Sequence, residues 1–155
     1  MKKILKFYIF LIISLIIFDD LKAAQSDNFS KAKILFDEKK FEKSKFFFEK
    51  DIVFNPRSEN SYLYLAKIYK KNDNDIEEEK NLEVVLLLNP KNDEAIYLLT
   101  LLRIKQSDYD GAKDLIEKFE LVCISFCNKK KEIKRKFNKL IPDNEKKQNT
   151  FIRRM

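Results

Sequence analysis

The sequence predicts an all-α protein, an array of antiparallel helix hairpins closed by a C-terminal capping helix. Three observations point there. The 155 residues include one Gly and three Pro, the residues that turns consume, while 45% are hydrophobic and 37% charged, a balance suited to amphipathic helices. A block of sequence recurs every 34 residues, the separation of Pro56 and Pro90, and periods of that size mark stacked supersecondary units. Within each copy the apolar positions follow helical spacing, not the alternation of strands.

The first element is an address. Residues 1–24 carry Lys2, Lys3 and Lys6, then an apolar run from Phe7 to Phe18 broken only by Ser14, then a polar stretch ending in Ala23 and Ala24. This is the order of a signal peptide. Counted from Ile4, the run of 15 residues falls short of the about 20 that cross a bilayer comfortably, so cleavage is expected. Bulky Leu21 and charged Lys22 sit where a small residue is preferred, which leaves an uncleaved signal anchor as the alternative. In both cases the N-terminal lysines stay on the cytoplasmic side and the rest of the chain is exported, to a periplasm or a secretory route. No Cys follows the run, so nothing marks a lipoprotein.

Residues 25–142 hold the hairpins and their cap. FEKDIVFNP at 48–56 aligns without gaps over LEVVLLLNP at 82–90, and the same register places LAKIYKKNDN from Leu65 over LTLLRIKQSD from Leu99. It also sets Phe41-Glu42-Lys43-Ser44 over Tyr109-Asp110-Gly111-Ala112, so three copies share the period. Tyr62, Leu65, Ile68 and Tyr69 form one helical stripe, and Leu82, Val85, Leu86 and Leu88 another, giving each unit two helices with a face to bury. Ala32, Ser44, Ala66 and Ala112 are the small residues expected where helices cross closely, with Phe48, Leu82 and Ile116 supplying bulk opposite. Pro56 and Pro90 stop the second helices, because Pro lacks an N–H and disfavours helix in the residue before it. Four positions depart from the pattern. Glu78 and Thr100 replace small contact residues, which predicts a shifted or loosened second hairpin at Glu78; Ile124 stands where Pro is expected, and polar Asn28 where bulk is expected.

These residues resemble the tetratricopeptide repeat family, over about residues 25–124. The matching pieces are Leu65-Ala66-Lys67-Ile68-Tyr69 in a first helix, Ser107-Asp108-Tyr109-Asp110-Gly111-Ala112 across a turn into a second helix, and the Asn-Pro endings at Asn55-Pro56 and Asn89-Pro90. The resemblance implies a right-handed superhelical array whose first helices line a concave face that receives a peptide or a partner's helix. Carried over position by position, that face comprises Phe29, Lys33, Phe36, Tyr64, Lys67, Lys71, Tyr97, Leu101, Ile104 and Lys105, with burial the expected role of Leu101 and Ile104. Aromatic anchors beside lysines suit a segment part apolar and part acidic. Some members of the family clamp a C-terminal carboxylate with fixed Lys, Asn and Arg positions. The corresponding places here include Phe29, Tyr64, Glu94 and Leu98, so that clamp is absent.

Beyond the third repeat, Ile133, Phe137, Leu140 and Ile141 form the stripe of one amphipathic helix halted by Pro142, the cap that a hairpin array needs on its last unit. Residues 143–155 read as a basic, flexible tail. Residues 25–127 hold 17 Lys and Arg against 20 Asp and Glu, whereas residues 128–155 hold 11 against 3. A basic amphipathic helix can touch anionic lipid, although a charged face is usually just solvated. No aromatics interleave with these lysines as base stacking would require, which argues against nucleic acid. Cys123 and Cys127 are the only thiols, and in an exported protein they are expected to form a disulfide. Their spacing is C-x3-C, not the C-x-x-C of thioredoxin-like enzymes, and two thiols are too few for zinc.

What is missing narrows function further. With no His there is no Ser-His or Cys-His couple, and a single Gly cannot build a phosphate cradle. The expectation is therefore an exported protein-binding scaffold without cofactor, metal or catalysis, serving as an envelope adaptor or assembly factor for another protein. The alternative is a membrane-surface structural protein docked on anionic lipid through the basic C-terminal helix. The partner's identity and the oligomeric state are not written in the sequence.

Overall fold

A computed structural model describes residues 27–140, which form seven helices and no strand. The signal sequence at 1–24 and the tail at 143–155 lie outside the described residues. Helix α1 is described over 27–37, followed by α2 (Phe41–Phe54), α3 (Glu59–Lys71), α4 (Asp75–Leu88), α5 (Asp93–Lys105), α6 (Tyr109–Val122), a 3-10 turn at Cys127–Lys129 and α7 (Lys130–Leu140). The helices pair in the sequence order expected of an all-α hairpin array with a C-terminal helix. The chain divides into two compact units between Ile68 and Tyr69, within α3.

The turn inside each repeat is built the same way three times. Lys39, Asp73 and Ser107, each 34 residues from the next, take left-handed backbone conformations with φ of 62°, 52° and 61°. In each, the next residue's N–H reaches back to a carbonyl in the helix's last turn: Lys40 to Leu35 at 2.9 Å, Asn74 to Tyr69 at 3.0 Å and Asp108 to Arg103 at 2.9 Å. This is the Schellman closure of a helix C-terminus, which normally prefers Gly at the left-handed position. Asn74 and Asp108 then cap α4 and α6, their side chains accepting from Glu77 N–H and Gly111 N–H and so satisfying donors that a helix start leaves open. The turns between repeats rest on Asn-Pro. Asn55 and Asn89 are extended, at φ −130° and −139°, as a following Pro requires.

In the first unit α1 and α2 cross at small residues. Ala32 and Ser44 are fully buried, and the Ser44 hydroxyl donates to the Ala32 carbonyl at 2.8 Å, so the polar group is satisfied at the crossing. Asn28 is also buried. Behind them a polar knot ties α2 to the start of α3: Ser58 and Ser61 each donate to Asp51 Oδ2 at 2.6 Å, with the Asp51 and Ser61 side chains buried.

In the second unit Leu82, Val85, Ile96, Leu99, Leu102, Ala112, Ile116 and Phe119 form the core, and Ile133 of α7 is fully buried. Helix α7 packs on α5 and α6, its Ile133 stripe facing them as the amphipathic pattern predicts. Arg103 of α5 pairs with Glu79 of α4 at 2.6 Å and with Asp108 at 3.5 Å. The two exceptional contact residues are accommodated by polar bonds. Thr100 is buried with its hydroxyl donating to the Ile96 carbonyl at 2.7 Å. Glu78 is 3% exposed within an unbroken α4, and it faces Lys70 at 3.6 Å. Burial holds the Glu78 carboxyl above its ordinary range, against the pull of Lys70.

Candidate functional site

Five of the residues carried over from the repeat pattern converge on one side chain in the first unit. Phe29 and Phe36 come from α1, Tyr64 and Lys67 from α3, and Lys33 from α1. Helical spacing puts Phe29, Lys33 and Phe36 on one face of α1, and Tyr64 and Lys67 on one face of α3. The Tyr64 ring lies edge-on to Phe36 at 4.9 Å and to Phe29 at 6.1 Å, and stacks on Phe48 of α2 at 5.0 Å with 7° between planes. Phe41 closes the cluster against Phe36 at 5.4 Å. Such pairs have the offset and edge geometries that aromatic quadrupoles favour.

Two ammonium groups sit over this ring. Lys67 Nζ is 4.6 Å from the Tyr64 centroid and Lys33 Nζ 5.6 Å, inside cation–π range. Lys33 also pairs with Asp37, and that bond, with a further contribution from Tyr64, holds its ammonium above the ordinary lysine value. Phe29, Phe36, Tyr64, Lys33 and Lys67 are all half-buried: fixed by packing, yet open on one side. The arrangement offers a rigid aromatic surface with positive charge at its edge, and it can accept an apolar or aromatic side chain together with a carboxylate.

The remaining expected residues are employed differently. Tyr97, assigned to the partner-binding face, is only 8% exposed, because α7 covers it. Its hydroxyl donates to Glu132 at 3.1 Å, its ring lies 6.3 Å from Phe119 and 5.9 Å from Phe126, and Lys129 approaches it at 5.8 Å. Tyr97 is thus a packing residue of the cap in this structure. Lys105 spans from α5 to the start of α4, bonding Asp75 at 2.7 Å and Asp73 at 3.3 Å, and these raise its ammonium above the usual lysine value, Asp75 foremost. Lys71 lies exposed at the end of α3; Ile104 is buried and Leu101 half-buried.

Cys123 and Cys127 are joined by a disulfide across the connection from α6 to α7. The peptide it closes is held from the other side by a residue that the repeat pattern did not single out. Asp93, in the first turn of α5, accepts with Oδ2 from the backbone N–H groups of Ile124, Ser125 and Phe126 at 2.7, 2.6 and 2.9 Å. Burial works to raise its pKa, but these backbone donors prevail and hold the carboxyl below its ordinary value. Phe48 was read only as bulk opposite small residues, and its stacking on Tyr64 follows from the same buried position.

No family model matches the chain, and no curated protein matches it. Solved structures do. The tetratricopeptide domain of Sgt2 from Aspergillus fumigatus superposes with a TM-score of 0.62 at 19% identity, covering 74% of this chain and 79% of that one. The second tetratricopeptide domain of Spaghetti (RPAP3), bound to the HSP90 peptide SRMEEVD, gives 0.60 at 19% identity, over 64% and 92% of the two chains. The CopN-Scc3 complex gives 0.62 at 16% identity over 70% and 66%. At these identities the likeness is one of fold: the described helices are tetratricopeptide-like.

Proposed function

We propose that this chain is an exported, non-catalytic scaffold that holds a peptide or helix of another protein on the aromatic face around Tyr64, as an envelope adaptor or assembly factor. The observation that carries the reading is the Tyr64 ring set among Phe29, Phe36 and Phe48 with Lys33 and Lys67 over it. A structural neighbour is bound to a peptide with three acidic residues, SRMEEVD, which supports a partner segment of mixed apolar and acidic character. The absence of His and the single Gly support a binding role over catalysis. Export rests on the basic, then apolar, then small-residue order of the first 24 residues.

Docking on lipid through α7 is the weaker reading. Four of the α7 region's cations already serve the fold: Lys129 and Lys136 pair with Glu132 at 3.0 and 3.1 Å, Lys134 pairs with Glu120, and Lys130 bonds the Glu120 carbonyl at 3.2 Å. The test is photo-crosslinking in cells from position 64, with position 83 as control and position 134 as a second probe. Discrete protein adducts from position 64 alone support the scaffold. Silence at 64 with lipid adducts at 134 replaces it with the lipid-docked reading.

A further inference from the structure

Helix α2 carries a second face that neither the aromatic cluster nor the hairpin packing uses. Ser44, Phe48 and Asp51 turn inward. Opposite them Phe46, Val53 and Phe54 are 59%, 74% and 63% exposed. At 100° per residue these three fall within one arc of the helix, and Lys43 and Lys50, both exposed, fall between them. Exposed Arg57 follows just past the helix end. The acids of α2 are placed elsewhere: Asp51 is buried, Glu42 pairs with Lys45 at 3.6 Å, and Glu49 is half-buried.

Large exposed apolar side chains clustered on one face mark an interaction surface. Two features on the page select its occupant. The face interleaves aromatic and aliphatic side chains with cations alone, and pairing it with a second copy would set like charges against each other. That composition complements an anionic bilayer surface, where Phe enters the headgroup boundary and lysines meet lipid phosphates. The second feature is reach. The apolar run ends at Phe18 and α1 is described from residue 27, so residues 19–26 span at most about 28 Å when extended. While the apolar run is engaged with a membrane, the first hairpin is confined to that membrane's surface.

We propose that the outer face of α2, formed by Phe46, Val53 and Phe54 with Lys43, Lys50 and Arg57, docks the first hairpin onto an anionic membrane surface. Contact at this face leaves the Tyr64 cluster to its own partner, so the two readings stand or fall separately. The chain has no Trp, so the full-length protein with Phe46→Trp has one indole reporting from the stripe. In phosphatidylglycerol-containing vesicles carrying brominated acyl chains, that emission shifts to the blue and is quenched. A second reporter, Val53→Trp, behaves alike, and Leu121→Trp, at an 87% exposed position of the second unit, stays unquenched.

Adding Lys43→Ala and Lys50→Ala lowers the docked fraction relative to the undocked by roughly 20-fold, at about fivefold per removed cation, and neutral phosphatidylcholine vesicles do the same. Equal quenching at positions 46 and 121, or quenching indifferent to lipid charge, overturns the proposal. A blue shift without lipid that grows with protein concentration also overturns it and assigns the face to self-association.

Discussion

The Tyr97 hydroxyl donates to the Glu132 carboxylate at 3.1 Å, joining α5 to α7 across 35 residues of sequence. Lys129, then Lys136, then Tyr97 hold the Glu132 carboxyl down, from 4.5 to about 2. Burial, then Glu132, pushes the Tyr97 phenol up from 10.0 to about 12. A depressed carboxyl contributes stability that is present above its unfolded value and lost as pH falls from about 4.5 toward 2; a raised phenol contributes stability lost as pH rises from about 10 toward 12. Tyr97→Phe should cost about 1 kcal/mol at pH 7 and flatten the alkaline limb of a urea-denaturation series, leaving much of the acid limb, since the lysine bonds to Glu132 remain.

Asp93 is the second anchor of the cap. Removing its carboxylate with Asp93→Ala leaves the three N–H groups of Ile124, Ser125 and Phe126 to water, at a cost of about 1–2 kcal/mol. Because the folded carboxyl titrates below its ordinary value of 3.8, its contribution is intact at neutral pH and fades as pH falls below that value. Hydrogen exchange should quicken across α7 in the variant while the amides of α2 keep their protection. Uniform acceleration in both units would show that Asp93 supports more than the cap.

The disulfide closes a short loop, so on the loop-entropy model its removal costs about 2 kcal/mol at most. Asp93 still grips the same peptide. Cys123→Ser with Cys127→Ser should therefore lower the melting temperature by several degrees and keep α7 in place, read as unchanged helical circular dichroism at 25 °C. Combining the pair with Asp93→Ala should cost more than the sum, since both act on residues 123–127.

The repeat was legible because its determinants are local and periodic: Asn-Pro endings, small residues at Ala32, Ser44, Ala66 and Ala112, and apolar stripes all recur at 34. The same periodicity misplaced Tyr97. Its register is that of a first-helix residue on the open face, but α7 supplies Glu132 and Lys129 from more than 30 residues away, and no local pattern reports where a cap will lie. Asp93 was hidden for a similar reason, since Asn92-Asp93-Glu94 reads as an ordinary acidic helix start. At the Tyr64 cluster, register alone brought Phe29, Lys33, Phe36, Tyr64 and Lys67 together, because all five sit on first helices of adjacent repeats.

The three left-handed turn residues went unseen because none is Gly. A left-handed conformation costs an L-residue about 1–2 kcal/mol, part of which Gly returns as lost chain entropy on folding. Lys39→Gly and Ser107→Gly should each stabilise by about 0.5–1 kcal/mol, measured by urea denaturation. Asp73→Gly should gain less, because it also removes the Lys105 bond at 3.3 Å.

Binding at Tyr64 can be separated from folding at Tyr64. The ring stacks on Phe48 and packs on Phe36, so Tyr64→Ala both opens the hairpin and removes the anchor, and a lost partner would be ambiguous. Lys67→Glu leaves the aromatic packing alone and reverses the charge at its edge. If the partner segment brings carboxylates, Lys67→Glu should weaken crosslinking from position 64 by tenfold or more, about 1.4 kcal/mol. The thermal midpoint should stay within a few degrees of the parent, since a single exposed-site cation–π contact is worth about 0.5–1 kcal/mol. The parent's crosslinking should also decline as salt is raised, while the reversed variant's does not. Undiminished crosslinking in Lys67→Glu would mean that the partner is held by apolar contact alone, and the acidic character assigned to it would have to be withdrawn.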